Sequence, residues 1–204
     1  ADVCQNAIAP ALPTISTNGI TGVWTPAVST ATPGTIVYTF TPAAGQCATT
    51  TTLSITVDAP VIPTFAAVPA ICQNAAPPIL PTTSTNGITG TWSPATVSNT
   101  ATATYTFTPT GGQCATTTTL TVTVDPNITP TFAAIAAICS GTTAPALPTT
   151  STNGITGTWA PATVSNTSTG TYTFTPTTGQ CATSTTITVT VNDRVTPTFL
   201  PIGP

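Results

Sequence analysis

Ser84-Thr-Asn-Gly-Ile-Thr-Gly-Thr-Trp92 decides the reading of this chain, because it occurs three times. It returns unchanged as Ser151 to Trp159, and as Ser16 to Trp24 with Val23 in place of Thr. A cysteine precedes each tryptophan by 20 residues (Cys4, Cys72, Cys139), and a second follows in Gly-Gln-Cys-Ala-Thr (Cys47, Cys114, Cys181). The tryptophans at 24, 92 and 159 set a period of 68 and then 67 residues. A period of this size means an array of units rebuilt from the same parts. The repeats divide the chain into 1-58, 59-125 and 126-193, followed by a remnant, 194-204.

Within a unit the pattern is that of strands. Ala103, Tyr105 and Phe107 alternate with Thr102, Thr104, Thr106 and Thr108, a period of two with an aromatic and a threonine face. Thr-Pro-x-x-Gly then turns the chain. A last strand is expected to start at Cys114, with Leu120, Val122 and Val124 on the cysteine's side and Thr117, Thr119, Thr121 and Thr123 opposite. Asn18-Gly19, Asn86-Gly87 and Asn153-Gly154 are expected to supply the positive φ angles of a tight hairpin turn. The proline-rich Ala9–Pro13, Pro77–Pro81 and Ala144–Pro148 belong on a sheet edge or a crossing, since proline cannot donate to a ladder. No segment has helical periodicity. Trp24, Trp92 and Trp159 are expected in cores.

Composition limits the chemistry. The only charged residues are Asp2, Asp58, Asp125, Asp193 and Arg194, and there is no Lys, Glu, His or Met. General acid–base catalysis needs a group that titrates near neutral pH, so no enzyme and no catalytic residue is expected. One arginine cannot neutralise a phosphate backbone, which argues against nucleic acid. No apolar run is long enough to cross a bilayer. One Asp per joint is too thin for calcium, which wants several carboxylates, and zinc lacks both His and a CxxC pair. No metal or cofactor is expected.

The six cysteines read as a disulfide framework, and hence as an oxidising compartment, extracellular or periplasmic. The expected pairing lies within each unit: Cys4 with Cys47, Cys72 with Cys114, Cys139 with Cys181. The alternative, Cys47 with Cys72 and Cys114 with Cys139, leaves Cys4 and Cys181 over or hands them to neighbouring chains. The Cys–Trp–Cys order invites comparison with immunoglobulin sandwiches, although the spacing differs. The expected fold is therefore all-β: three tandem Ig-like β-sandwich repeats of about 67 residues, one disulfide each, in a rod with short, stiff proline joints.

The second and third units open with an extended lead-in, Pro63-Thr-Phe-Ala-Ala-Val and Pro130-Thr-Phe-Ala-Ala-Ile. The first unit has none, and the chain closes on a spare one, Thr196, Pro197, Thr198, Phe199, Leu200, Pro201 and Ile202. Two readings fit: an excerpt from a longer array, or a strand that completes the first unit of the next copy by β-strand addition.

The run from Pro130 to Val191 resembles the tandem Ig-like repeats of giant Bacteroidetes surface proteins. These include gliding-motility and adhesion proteins exported by the type IX secretion system. That resemblance implies a structural repeat of an extracellular fibre or adhesin stalk at the cell surface. Its partners would be adjacent repeats or other copies, with a surface or glycan ligand besides. Two alternatives stand beside it. One is a filament subunit joined head to tail by donation of 196-204; the other is an ice- or glycan-binding module that uses the flat threonine faces.

Overall fold

The computed structural model describes residues 2–200 and 203, and every regular element among them is a strand. The first repeat contributes β1 (Asp2–Cys4), β2 (Gly22–Thr25), β3 (Gly34–Pro42) and β4 (Thr51–Asp58). The second contributes β5 (Ile71–Cys72), β6 (Gly90–Ser93), β7 (Ala103–Pro109), β8 (Thr118–Val122) and β9 (Val124–Asp125). The third contributes β10 (Ile138–Cys139), β11 (Gly157–Ala160), β12 (Gly170–Pro176), β13 (Thr185–Val189) and β14 (Val191–Asn192).

One pairing plan serves all three. A short strand ending in Trp and its follower pairs antiparallel with the aromatic strand, with Trp24 opposite Phe40, Trp92 opposite Phe107 and Trp159 opposite Phe174. The aromatic strand pairs antiparallel with the threonine strand that follows it. The far end of that last strand then pairs parallel with the strand holding the first cysteine, so that Cys4 faces Asp58, Cys72 faces Asp125 and Cys139 faces Asn192. In the first repeat this makes one sheet, β1-β4-β3-β2. In the others the last strand is interrupted, so β8 pairs with β7 while β9 pairs with β5, and likewise β13 and β14.

By contact the chain forms two compact units that do not follow the repeat boundaries. One takes the chain up to Pro69 together with Pro78–Val97 and Ala103–Val122. The other takes Ala70–Pro77, Ser98–Thr102 and the chain from Thr123 onward. The alternation read from the sequence sets the cores. In the first unit Tyr38, Phe40, Ile55 and Val57 are buried, as are Leu80, Trp92, Tyr105, Phe107 and Val122, with Phe65 and Val68 packed on the latter group. In the second, Ile155, Trp159, Val164, Tyr172, Phe174 and Val189 form the core, with Phe132 and Ile135 against it. Burying each such side chain contributes about 1.5–3 kcal/mol. A close approach of backbone to ring needs glycine at one position per repeat. A Cβ on Gly157 would lie 2.3 Å from the Thr175 carbonyl and 2.6 Å from Phe174 Cζ.

The disulfides correct the expected pairing. Cys4 is bonded to Cys114 and Cys72 to Cys181, while Cys47 and Cys139 are free thiols. The bonds therefore join the first cysteine of one repeat to the second cysteine of the next. Geometry forbids the bond within a repeat. Cys47 precedes β4, whereas Cys4 is aligned with Asp58 at its far end. From Thr51 to Asp58 the strand alone covers roughly 24 Å at about 3.4 Å per residue. A disulfide tolerates a Cα–Cα separation of at most about 7 Å.

Two smaller expectations also change. The last strands start at Thr118 and Thr185 rather than at the cysteine, because Cys47, Cys114 and Cys181 all take a left-handed backbone, φ 45°, which ends a strand. In the signature turn only the glycines (Gly19, Gly87, Gly154) have positive φ, and the asparagines do not. The turn is closed around the serine: the Ser84 amide donates to the Ile88 carbonyl, and the Ile88 amide donates to Ser84 Oγ. The proline-rich segments lie in no strand; their carbonyls at Pro13, Pro81 and Pro148 accept the indole N–H of Trp24, Trp92 and Trp159.

Candidate assembly site

The lead-in segments show how one repeat receives the chain that arrives from the repeat before it. Val61 and Ile128 form parallel bridges with Ala115 and Ala182. Their amides donate to the carbonyls of Cys114 and Cys181, both at 2.8 Å, and their carbonyls accept from Thr116 (2.9 Å) and Thr183 (3.0 Å). One and three residues on, the asparagine of the signature takes hold. Asn86 Nδ2 donates to the Ile62 carbonyl (2.9 Å) and Asn86 Oδ1 accepts from the Thr64 amide (3.2 Å). Asn153 does the same to Thr129 (2.9 Å) and Thr131 (3.1 Å). The amides of Thr85 and Thr152 donate to the Thr64 and Thr131 carbonyls, both at 2.7 Å. An asparagine read from sequence as a turn former is also a backbone clamp. Its recurrence beside a recurring lead-in was the available signal.

The clamp seats an aromatic ring. Phe65 lies 4.7 Å from both Trp92 and Phe107, and Phe132 lies 4.8 Å from both Trp159 and Phe174. Tilted and edge-on pairs of this kind are each worth about 0.5–1.5 kcal/mol beyond the area they bury. Trp92 and Trp159 are each only 8% exposed, as expected of core residues.

The first repeat carries the same surface without a lead-in on it. Trp24 meets Phe40 at 5.2 Å but is only half-buried. Ser16, whose counterparts Ser84 and Ser151 are buried, is likewise only half-buried. Beside Phe40 opens a cleft of about 420 Å³ lined by Ser16, Asn18, Ile20, Pro42, Cys47 and Thr51, among others. Its edge is held in the shape seen elsewhere: Gln46 bonds the amide and carbonyl of Thr21, as Gln113 bonds Thr89 and Gln180 bonds Thr156.

The spare lead-in lies at the other end of the chain. Thr196, Pro197, Thr198, Phe199 and Leu200 are exposed, with Val195 at 87% and Phe199 and Leu200 at 90%. Pro201 and Ile202 lie outside the described residues. Of the cysteines, Cys4, Cys72, Cys114 and Cys181 are bonded, and Cys47 and Cys139 are exposed.

The threonine faces are exposed, and their hydroxyls meet across strands: Thr35 with Thr56 at 3.2 Å, Thr104 with Thr121 at 3.0 Å and Thr171 with Thr188 at 3.4 Å. No group of three or more His, Cys, Asp or Glu suited to a metal ion occurs among the described residues. No protein-family model matches the chain, and no curated protein matches it.

Proposed function

We propose that this chain is a non-enzymatic structural element of an extracellular fibre, extended when the segment from Val195 of one copy docks on the first repeat of the next. One observation carries the reading: the lead-ins of repeats two and three are seated by the same bridge, clamp and aromatic contact, while an exposed lead-in of matching sequence and an open cleft at the equivalent position of the first repeat coexist in the same molecule. Val195-Thr-Pro-Thr-Phe199 reproduces Ile128-Thr-Pro-Thr-Phe132 in all but its first residue. Addition of a strand gives affinity through main-chain hydrogen bonds and specificity through side-chain pockets. The load-carrying parts suit a surface fibre or stalk of immunoglobulin-like repeats. Its disulfides bridge one repeat to the next, and a single Arg and no Lys offer little to trypsin-like proteases.

Negative-stain electron microscopy tests this with the full chain and with a chain ending at Arg194. The removed residues that can be described are exposed, so the shortened chain keeps its fold. Fibres from the full chain and single particles from the shortened one are expected. Fibres from both, or from neither at high concentration, would refute the reading.

A further inference from the structure

We infer that Cys47 and Cys139 are the two halves of an intermolecular disulfide, which locks the first repeat of one copy to the third repeat of another. The inference rests on the docking of Val195 proposed above and adds a covalent bond to it.

The argument is one of register. In the first joint, Cys4 is aligned with Asp58; three residues later Val61 bridges to Ala115, and its neighbour Cys114 closes the ring by bonding Cys4. In the second joint, Cys72 is aligned with Asp125, three residues later Ile128 bridges to Ala182, and Cys181 bonds Cys72. At the third, Cys139 is aligned with Asn192, and three residues later comes Val195. Seating Val195 on Ala48 of a second copy completes the same ring, and the cysteine it brings opposite Cys139 is Cys47.

Both free cysteines already hold the local structure of their bonded counterparts. Cys47 keeps the left-handed φ of 45° found at Cys114 and Cys181, although no bond constrains it. Such a backbone costs a residue with a Cβ about 1–2 kcal/mol. The Gln46 bonds to Thr21 hold that loop in place. At Cys139, the following amide (Ser140) donates to the Asn192 carbonyl at 2.8 Å, as Gln5 does to Asp58 and Gln73 to Asp125. Both thiols are exposed and reachable, and the register assigns them to each other rather than to their own kind.

The oxidant is a low-molecular-weight disulfide. The Cys47 thiolate attacks one of its sulfurs, giving a mixed disulfide and releasing one small thiol. The Cys139 thiolate of the second copy then attacks the Cys47 sulfur, the mixed bond breaks, and the second small thiol leaves. Two protein thiols lose two electrons, and the small disulfide becomes two thiols that carry the two protons.

The test incubates the full chain in oxidised and reduced glutathione, followed by a non-reducing gel and a chymotryptic peptide map. The expected result is a ladder in steps of 20.3 kDa that collapses on reduction, with Cys47–Cys139 as the new linkage. An equimolar mixture of Cys47→Ser and Cys139→Ser chains should stop at a singly linked dimer. Phe199→Ala should slow linkage on the order of tenfold, by removing the docking that raises effective concentration. The double variant Cys47→Ser/Cys139→Ser separates the two readings. If it forms fibres, and the wild-type fibres carry alkylatable thiols or random Cys47–Cys47 and Cys139–Cys139 links, the disulfide is refuted and docking survives. If neither chain assembles, both fall.

Discussion

Replacing Phe132 and Phe199 separately by alanine applies one chemical change to the same motif in two environments. Phe132 is seated on Trp159 and Phe174, each at 4.8 Å, while Phe199 is 90% exposed. Truncating a buried phenylalanine costs about 3–5 kcal/mol, and Phe132 retains some exposure, so about 3 kcal/mol is expected. For Phe199 in an isolated chain the expectation is within about 0.5 kcal/mol of zero. The measurement is hydrogen exchange by mass spectrometry over β11 and β12, where Phe132 packs against Trp159 and Phe174, in the Cys47→Ser/Cys139→Ser background at low concentration. A loss of about 3 kcal/mol speeds exchange from the opened state by roughly a hundredfold for Phe132→Ala. Phe199→Ala should leave the pattern unchanged. Equal effects at both positions, or less than about a tenfold change at Phe132, would refute the claim that the lead-in ring is part of the core it joins.

Two further outcomes follow from single contacts. Gly157→Ala drives a Cβ to 2.3 Å from a backbone carbonyl that cannot retreat without breaking the β11–β12 ladder, so it should cost about 1–3 kcal/mol, read as a lower denaturant midpoint. Asn153→Ala removes both side-chain bonds to the lead-in at Thr129 and Thr131; being exposed, these should contribute about 1 kcal/mol together, seen as faster exchange confined to 128–132.

Much of the strand content was legible because it rests on nearest-neighbour chemistry. The alternation of Tyr105 and Phe107 with threonine needed only a period of two, and Tyr105 and Phe107 are buried as that period requires. Proline and glycine placed the turns, and Gly112 takes its positive φ where Thr-Pro-x-x-Gly put it. The role of Asn86 was legible only by half. A turn propensity is local, but the carbonyl of Ile62 that its amide holds is 24 residues away. Nothing in the turn itself names that partner.

The disulfide pairing marks the boundary. Repetition alone determined that one sequence motif occurs three times, that each occurrence has two cysteines, and that a lead-in at Pro197 matches those at Pro63 and Pro130. Parity led to the expectation that each second cysteine sits on the core side of a strand, whereas the strands begin only after it, at Thr51, Thr118 and Thr185, and parity carries no information about distance along the chain. Only the tertiary structure, by pairing β1 in parallel with the far end of β4, put Cys4 a full strand length from Cys47 and 5.1 Å by Cα from Cys114. A covalent bond follows proximity in space, and proximity here is set by which strand edges meet, a long-range choice that no single repeat encodes.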